Sequence, residues 1–191
     1  MTLPSKSIKA LGIEFVTQQF PGVEALEMMP LIEKRFLRIA ESYQKLGPVA
    51  YMEILGDDIE ADLALFLKYT TQNGKPIDIE EFSANDSLAI CTLVYDILLF
   101  TFGFLLEHPD KYFSPPQDSE QSSLPQSVTK AFQAYSQNPL VYRILTSDVC
   151  KVDYYTLHTH CTLEDIYKMN ETISLHQFTQ AALMKQAAAS R

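Results

Sequence analysis

Glycine is scarce in this chain: there are six among 191 residues, and none are clustered. Phosphate loops and dinucleotide fingerprints need grouped glycines, so that backbone amides can approach a phosphate. Neither is present, and G-x-S-x-G and H-E-x-x-H are missing too. The catalytic mechanisms with a readable signature therefore have no carrier here. Cysteine is scarce as well. Cys91, Cys150 and Cys161 are an odd number in a chain of ordinary size. They suggest no disulfide framework and point to a reducing compartment. Positive charge is short: 15 Lys and Arg stand against 24 Asp and Glu, a net charge of −9. Nucleic-acid binders need a basic face to neutralise phosphate, and anionic membrane surfaces attract basic segments. Both partners are excluded on this balance; a basic protein partner, or plain solubility, fits it. The opening MTLPSKSIKALGIEF has no continuous apolar stretch of the signal-peptide kind.

What the chain does have is apolar surface. Hydrophobic residues make up 47% of it, enough for a proper core. The longest run is LAICTLVYDILLFTFGFLL, Leu88 to Leu106. It approaches the length of a bilayer span, about 20 residues. Asp96 in its middle would cost about 2.5–3.5 kcal/mol there. Its flanks, Glu80, Glu81, Asp86 and Glu107, hold no orienting cluster of Lys or Arg. A buried central helix is the expectation.

Around that helix the pattern predicts an all-α fold. Residues 13–20, IEFVTQQF, alternate loosely and fit one short strand or an extended arm before Pro21-Gly22. From Val23 the chain turns helical, with Leu26, Met29, Ile32, Phe36, Ile39 and Tyr43 at steps of three and four. Pro30 is either a kink or the true start, and Gly47-Pro48 the stop. Val49 to Leu55 reads as a helical turn. Asp57 reads as the N-cap of a helix with Ile59, Leu63, Phe66 and Leu67 on its stripe. Asn73-Gly74-Lys75-Pro76 is a turn. Residues 109–126, PDKYFSPPQDSEQSSLPQ, are the one clear linker. They separate a helical N-terminal domain, 1–108, from a small helical C-terminal region, 127–191. In the latter, helices are expected from Ser127, over Leu140 to Leu145, from Thr162 with Asp165 as capping partner, and from Ser174 with Gln177 onward. Residues 148–161 read as irregular, and the Ala-rich end as fraying.

Few side chains point to chemistry. His158, His160 and Cys161, with Cys150 upstream, hold ligand types that zinc accepts. Their H-x-H-C spacing departs from the C-x2-4-C and H-x3-5-H pattern of structural sites, so ordinary loop packing is expected and no metal or cofactor is assigned. A Cys–His nucleophile pair there has no signature around it. The carboxylates at Asp57, Asp58, Glu60 and Asp62, and at Asp78, Glu80 and Glu81, lack the calcium-loop pattern and suit helix starts. Aromatics remain. Tyr154, Tyr155, Tyr167 and Phe178 are many large residues for polar surroundings, and Tyr112-Phe113 add two more in the linker. They serve either as a protein interface or as the packing that docks the C-terminal region.

Three stretches resemble one family. IEFVTQQFPGVEALEMMPLIEKRF has an arm, a proline and a helix; FLKYTTQNGKPIDIEEFSANDSLAICTLVYDILLFTFGFL has a helix, a polar turn and a long apolar helix. ILTSDVCKVDYYTLHTHCTLEDIYKMNETI has a short helix, a tyrosine-bearing turn and T-L-x-D-I with M-N. Together they are similar to the tail assembly chaperones of long-tailed bacteriophages. That resemblance implies a non-enzymatic helper in the host cytoplasm, which coats the tape-measure protein and helps recruit tail-tube subunits. On that reading, the partner is expected in a groove of helix 88–106 with helix 23–45, with the Tyr154, Tyr155 and Tyr167 region as its reader. The neighbouring expectations are a structural part of the tail or baseplate, and, from another class, an enzyme or metal domain at His158, His160 and Cys161.

Overall fold

The computed structural model describes residues 2–83, 86–107 and 138–189. It corrects the all-α expectation: the chain is mixed α/β, with a four-stranded antiparallel sheet in sequence order. Strands β1 (Ser5–Ala10) and β2 (Ile13–Gln18) pair from Ser5↔Gln18 to Ala10↔Ile13. Leu11 and Gly12 turn the chain with φ of 55° and 71°. Positive φ at both central residues is the hairpin turn whose twist matches that of the strands. A second hairpin joins β3 (Thr70–Gln72) and β4 (Lys75–Pro76) around Asn73 and Gly74, with φ of 52° and 75°. β3 docks on β2, so the two hairpins make one sheet.

The three missed strands have physical reasons. Only Ile8 is buried in β1, so its sequence shows no apolar alternation, and pairing with β2 supplies the strand. β3 and β4 are too short for any periodicity, and Pro76 sits on an edge, where its missing N–H harms nothing. The Asn-Gly pair was a hairpin signal, not only a turn signal.

Helix α1 (Gly22–Leu46) runs through Pro30 and ends at Gly47, whose φ is 58°. A 3-10 segment (Gly47–Ile54) follows. Helix α2 (Ile59–Phe66) is capped by Asp58, one residue after the expected Asp57; its carboxylate accepts the Ala61 N–H at 3.1 Å. Arg35 on α1 ties this region together. It pairs with Asp62 at 2.9 Å, both side chains nearly buried, and donates to the Ile54 carbonyl. After the short helix α3 (Ile79–Ser83), Asp86 accepts the Ala89 N–H and starts α4 (Ser87–Glu107). α4 buries Ile90, Cys91, Leu93, Val94, Ile97, Leu98, Phe102 and Leu105 in the main core. By length and composition Ser87–Leu105 could cross a membrane, and half of that window is buried inside the fold. The end of β2 is fastened to α4. Gln19 donates to the Phe100 carbonyl at 2.6 Å, and the Phe20 N–H reaches the Thr101 hydroxyl at 3.4 Å.

The expected linker over 109–126 and the helix expected from Ser127 lie outside the described residues. Beyond them come α5 (Pro139–Leu145), α6 (Tyr154–Thr159) and α7 (Leu163–Ala189). α6 falls where an irregular loop was expected, and Asp153 starts it by accepting the Thr156 N–H at 2.8 Å. α7 opens on a reciprocal cap. The Thr162 N–H donates to Asp165 at 2.9 Å, and the Asp165 N–H donates to the Thr162 hydroxyl at 3.1 Å. It then runs unbroken through Ser174. Val141, Ile144, Leu157, Cys161, Ile166 and Ile173 form a second core with Val23 of α1.

The seam between the two cores is close at Gly22. Its N–H donates to the Cys161 carbonyl at 2.7 Å. A Cβ at this position would stand 2.6 Å from the Thr162 carbonyl carbon and 2.8 Å from Ile166 Cδ1. Gly22→Ala is expected to cost about 1–3 kcal/mol through this overpacking. A denaturant titration should show it as a lower midpoint, whereas Gly56→Ala, whose Cβ would stand 3.1 Å from Arg35 and 3.2 Å from Asp62 side-chain atoms, should cost less.

Candidate protein-binding surfaces

The four aromatic residues expected at an interface fall in different surroundings. Tyr154 and Tyr155 open α6 and are 61% and 67% exposed. Tyr154 stacks on His158 with ring centres 4.0 Å apart, and Tyr155 meets His160 edge-on at 5.6 Å. Phe178 is 69% exposed on α7. Tyr167 differs: it packs against the main core and meets Phe104 of α4 edge-on at 6.0 Å. Desolvation, helped by Glu33, pushes its phenol pKa up. Tyr167 therefore docks α7 onto α4, while the other three face solvent.

A further aromatic surface escaped the sequence. Where α1, the 3-10 segment and α4 meet, Phe36 contacts Tyr95 edge-on at 5.5 Å. Tyr95 stacks on Tyr51 at 4.5 Å, and Tyr51 leans on Tyr43 at 5.7 Å. Beside it, Leu46, Val49 and Met52 are half-exposed apolar residues at the end of α1 and in the 3-10 segment. The usable signal was Val49 and Met52, apolar residues in a short segment whose inner side is already taken by Ala50 and Ile54. Asp96, next to Tyr95 on α4, is the acidic group of this region. Desolvation raises its pKa, and the charge of Lys6 opposes the rise.

Several of the residues weighed for chemistry have structural partners. Asp58 and Asp78 accept N–H groups at helix starts. Asp62 holds Arg35 and accepts the Gly56 N–H at 2.6 Å. Cys161 is buried in the second core; desolvation, then Asp165 and Asp153, push its thiol pKa up. Burial pushes the Cys91 thiol up to about 11. Cys150 is half-buried, with its thiol 3.7 Å from the Met169 carbonyl. His158 Nε2 is buried without a hydrogen-bond partner among the described residues. Among those residues, no three His, Cys, Asp or Glu side chains converge on a point that could hold a metal ion. An open cleft of about 620 Å³ lies beside α1, lined by Glu24, Glu27, Met28, Leu65, Lys68 and His158. Glu24 there accepts from Lys68 at 2.8 Å and from the Tyr69 hydroxyl at 2.6 Å. Glu24, Lys68 and Tyr69 thus satisfy one another at the edge of the cleft.

No family model, no curated protein and no solved structure matches this chain.

Two outcomes follow from the geometry. Replacing Tyr154 and Tyr155 by Ala is expected to change stability by about 1 kcal/mol or less each, since only exposed ring contacts are lost. Tyr167→Ala should cost about 2–4 kcal/mol as a large-to-small change against the core; chemical denaturation of the three variants checks the order. Asp96 gives a pH signature. Its folded pKa lies above the unfolded value of about 3.9, so the folded state holds the proton more tightly. Stability attached to this group is present at low pH and lost as pH rises from about 3.9 through the folded pKa. Asp96→Asn should therefore raise the thermal midpoint at pH 7, and the two proteins should converge near pH 4.

Proposed function

We propose that this protein acts by binding another protein, without catalysis, and that it serves as a helper in the assembly of a long bacteriophage tail. The observation that carries the binding reading is the aromatic ladder Phe36–Tyr95–Tyr51–Tyr43 with the apolar residues beside it. Half-exposed apolar residues grouped at one junction, rather than scattered singly, are what interaction sites present. Tyrosines there offer large area at small entropy cost and keep a polar edge toward water.

The finer reading rests on the three stretches that resemble tail assembly chaperones. Under it, the partner is the tape-measure protein, a long helical chain with apolar seams. A helix laid along the ladder, between α1 and α4, would bury its stripe by helix-in-groove packing. The net charge of −9 would keep the complex soluble until tail-tube subunits replace the helper. The work would take place in the cytoplasm of the infected cell.

The test is capture with the tagged protein from infected or lysogenic cells, with mass spectrometry of the captured complex and of finished particles. A long helical tail protein in the complex, with this chain missing from particles, supports the helper. This chain inside purified particles would make it a structural tail component instead. Capture of no phage protein would remove the tail-assembly reading. In the same assay, Leu46→Glu with Met52→Glu should lower capture about tenfold or more, as expected for charges placed in the centre of an interface, while the thermal midpoint stays close to that of the parent.

A further inference from the structure

Among the described residues, the fold twice sets a cation, an aromatic ring and a carboxylate together. Arg35 lies over the Phe66 ring, its guanidinium carbon 5.1 Å from the ring centre, and pairs with Asp62 at 2.9 Å. Lys68 lies over the Tyr69 ring at 5.1 Å and pairs with Glu24 at 2.8 Å. The aromatic ladder holds two members of such a trio. Its rings are Tyr43, Tyr51 and Tyr95, and Tyr43 is 45% exposed. Its carboxylate is Asp96, half-buried in the middle of α4. Desolvation and then the charge of Asp96 push the Tyr95 phenol pKa up; at Tyr51 desolvation leads, the other two tyrosines follow, and Asp96 adds to the rise. The carboxylate and both phenols therefore share one electrostatic neighbourhood. Among the described residues, no hydrogen bond or ion pair holds the Asp96 carboxylate. The charge of Lys6 on β1 reaches it, but the Lys6 ammonium lies over the Phe100 ring at 5.9 Å, and desolvation outweighs its pull on Asp96.

We propose that the ladder takes an arginine of its protein partner, with the guanidinium laid against the tyrosine rings and paired with Asp96. The proposal rests on the reading that the ladder binds a protein, and it adds what that protein must present. A half-buried carboxylate without a partner costs stability, because desolvation penalises its charge. A partner that covered it with apolar side chains alone would deepen that penalty. A cation offsets it, and attracts more strongly there than in open water. The ring faces carry negative charge density, so the rings and the carboxylate select the same kind of group. Arginine suits this place better than lysine. Its planar guanidinium is weakly hydrated and can stack on a ring while parallel N–H groups donate to the carboxylate; an ammonium is a compact charge that holds its water. The net charge of −9 favours approach of a basic segment. A helix lying on the ladder therefore carries an arginine within its apolar stripe.

The test uses the full chain and a small probe, N-acetyl-arginine N-methylamide, at low salt. Its citrulline counterpart has the same shape without the charge. NMR follows the ring signals of Tyr43, Tyr51 and Tyr95 and the side-chain carboxyl of Asp96. The arginine probe is expected to shift these signals saturably, and the citrulline probe to bind about tenfold more weakly or less. With the arginine probe bound, the Asp96 carboxyl should titrate at lower pH. Asp96→Asn should weaken the probe about tenfold while raising the thermal midpoint at pH 7, a split that a purely structural carboxylate would not give. Tyr43→Leu should weaken it too, and Tyr43→Phe should keep it. Equal binding of both probes, ring signals that neither probe moves, or binding that survives Asp96→Asn would overturn the proposal. So would a thermal midpoint lowered by Asp96→Asn, because Lys6 would then already be the cation of this carboxylate. Capture of the partner separates this proposal from the reading beneath it. If Leu46→Glu with Met52→Glu lowers capture and Asp96→Asn does not, the ladder is an interface without an arginine anchor. If neither lowers it, the ladder is not the surface, and the anchor falls with it.

Discussion

Between Leu88 and Leu105, α4 carries a single ionisable carboxylate, Asp96, and most of its residues are apolar. A helix apolar around most of its circumference is stable in water only when other elements cover it, and each large side chain it buries contributes about 1.5–3 kcal/mol. The placement of the remaining elements follows from that requirement. The sheet covers one side and is fastened at Gln19 and Phe20. The 3-10 segment covers another, α2 a third, and Tyr167 of α7 reaches the far end through Phe104. The cover is incomplete where the 3-10 segment and α1 meet α4. That gap is where Tyr95 and Asp96 stand half-buried. The aromatic ladder is thus the remainder of an unfinished core, closed by tyrosines that tolerate water at one edge.

Much of this arrangement was legible in the sequence, and its failures are instructive. α1 was readable from its three- and four-residue steps, α4 from its apolar run, and the start of α7 from the Thr162–Asp165 pair. The sheet was not, because only β2 has enough alternating apolar residues to declare itself. β1 is polar on its exposed face and becomes a strand by pairing, through a turn that holds the non-glycine residue Leu11 at a φ of 55°. Tertiary pairing outweighs local propensity in such a case. Ser174 and Gln177 misled for a different reason. They look like a helix start, yet the Ser174 hydroxyl donates back to the Asn170 carbonyl at 3.0 Å, a bond available to serine inside a helix. Arg143 of α5 then uses both side chains as acceptors, at 3.2 and 2.8 Å. The cap-like letters are the receiving end of a contact from another helix.

The candidate surfaces divide the same way. Tyr154, Tyr155 and Phe178 are exposed on single helices, so their unusual number in polar surroundings was visible along the chain. Tyr167 has the same composition-level signature but is a packing residue, and only Phe104, 63 positions earlier, tells it apart. The ladder needs three elements to assemble, and its members are spread from Phe36 to Tyr95. Phe36 and Tyr43 share the apolar stripe of α1, but no periodicity connects them to Tyr51 and Tyr95. α7 is the opposite case: Leu175 to Ala188 lie within one helix, but only the structure shows that this half of it stands clear of the body.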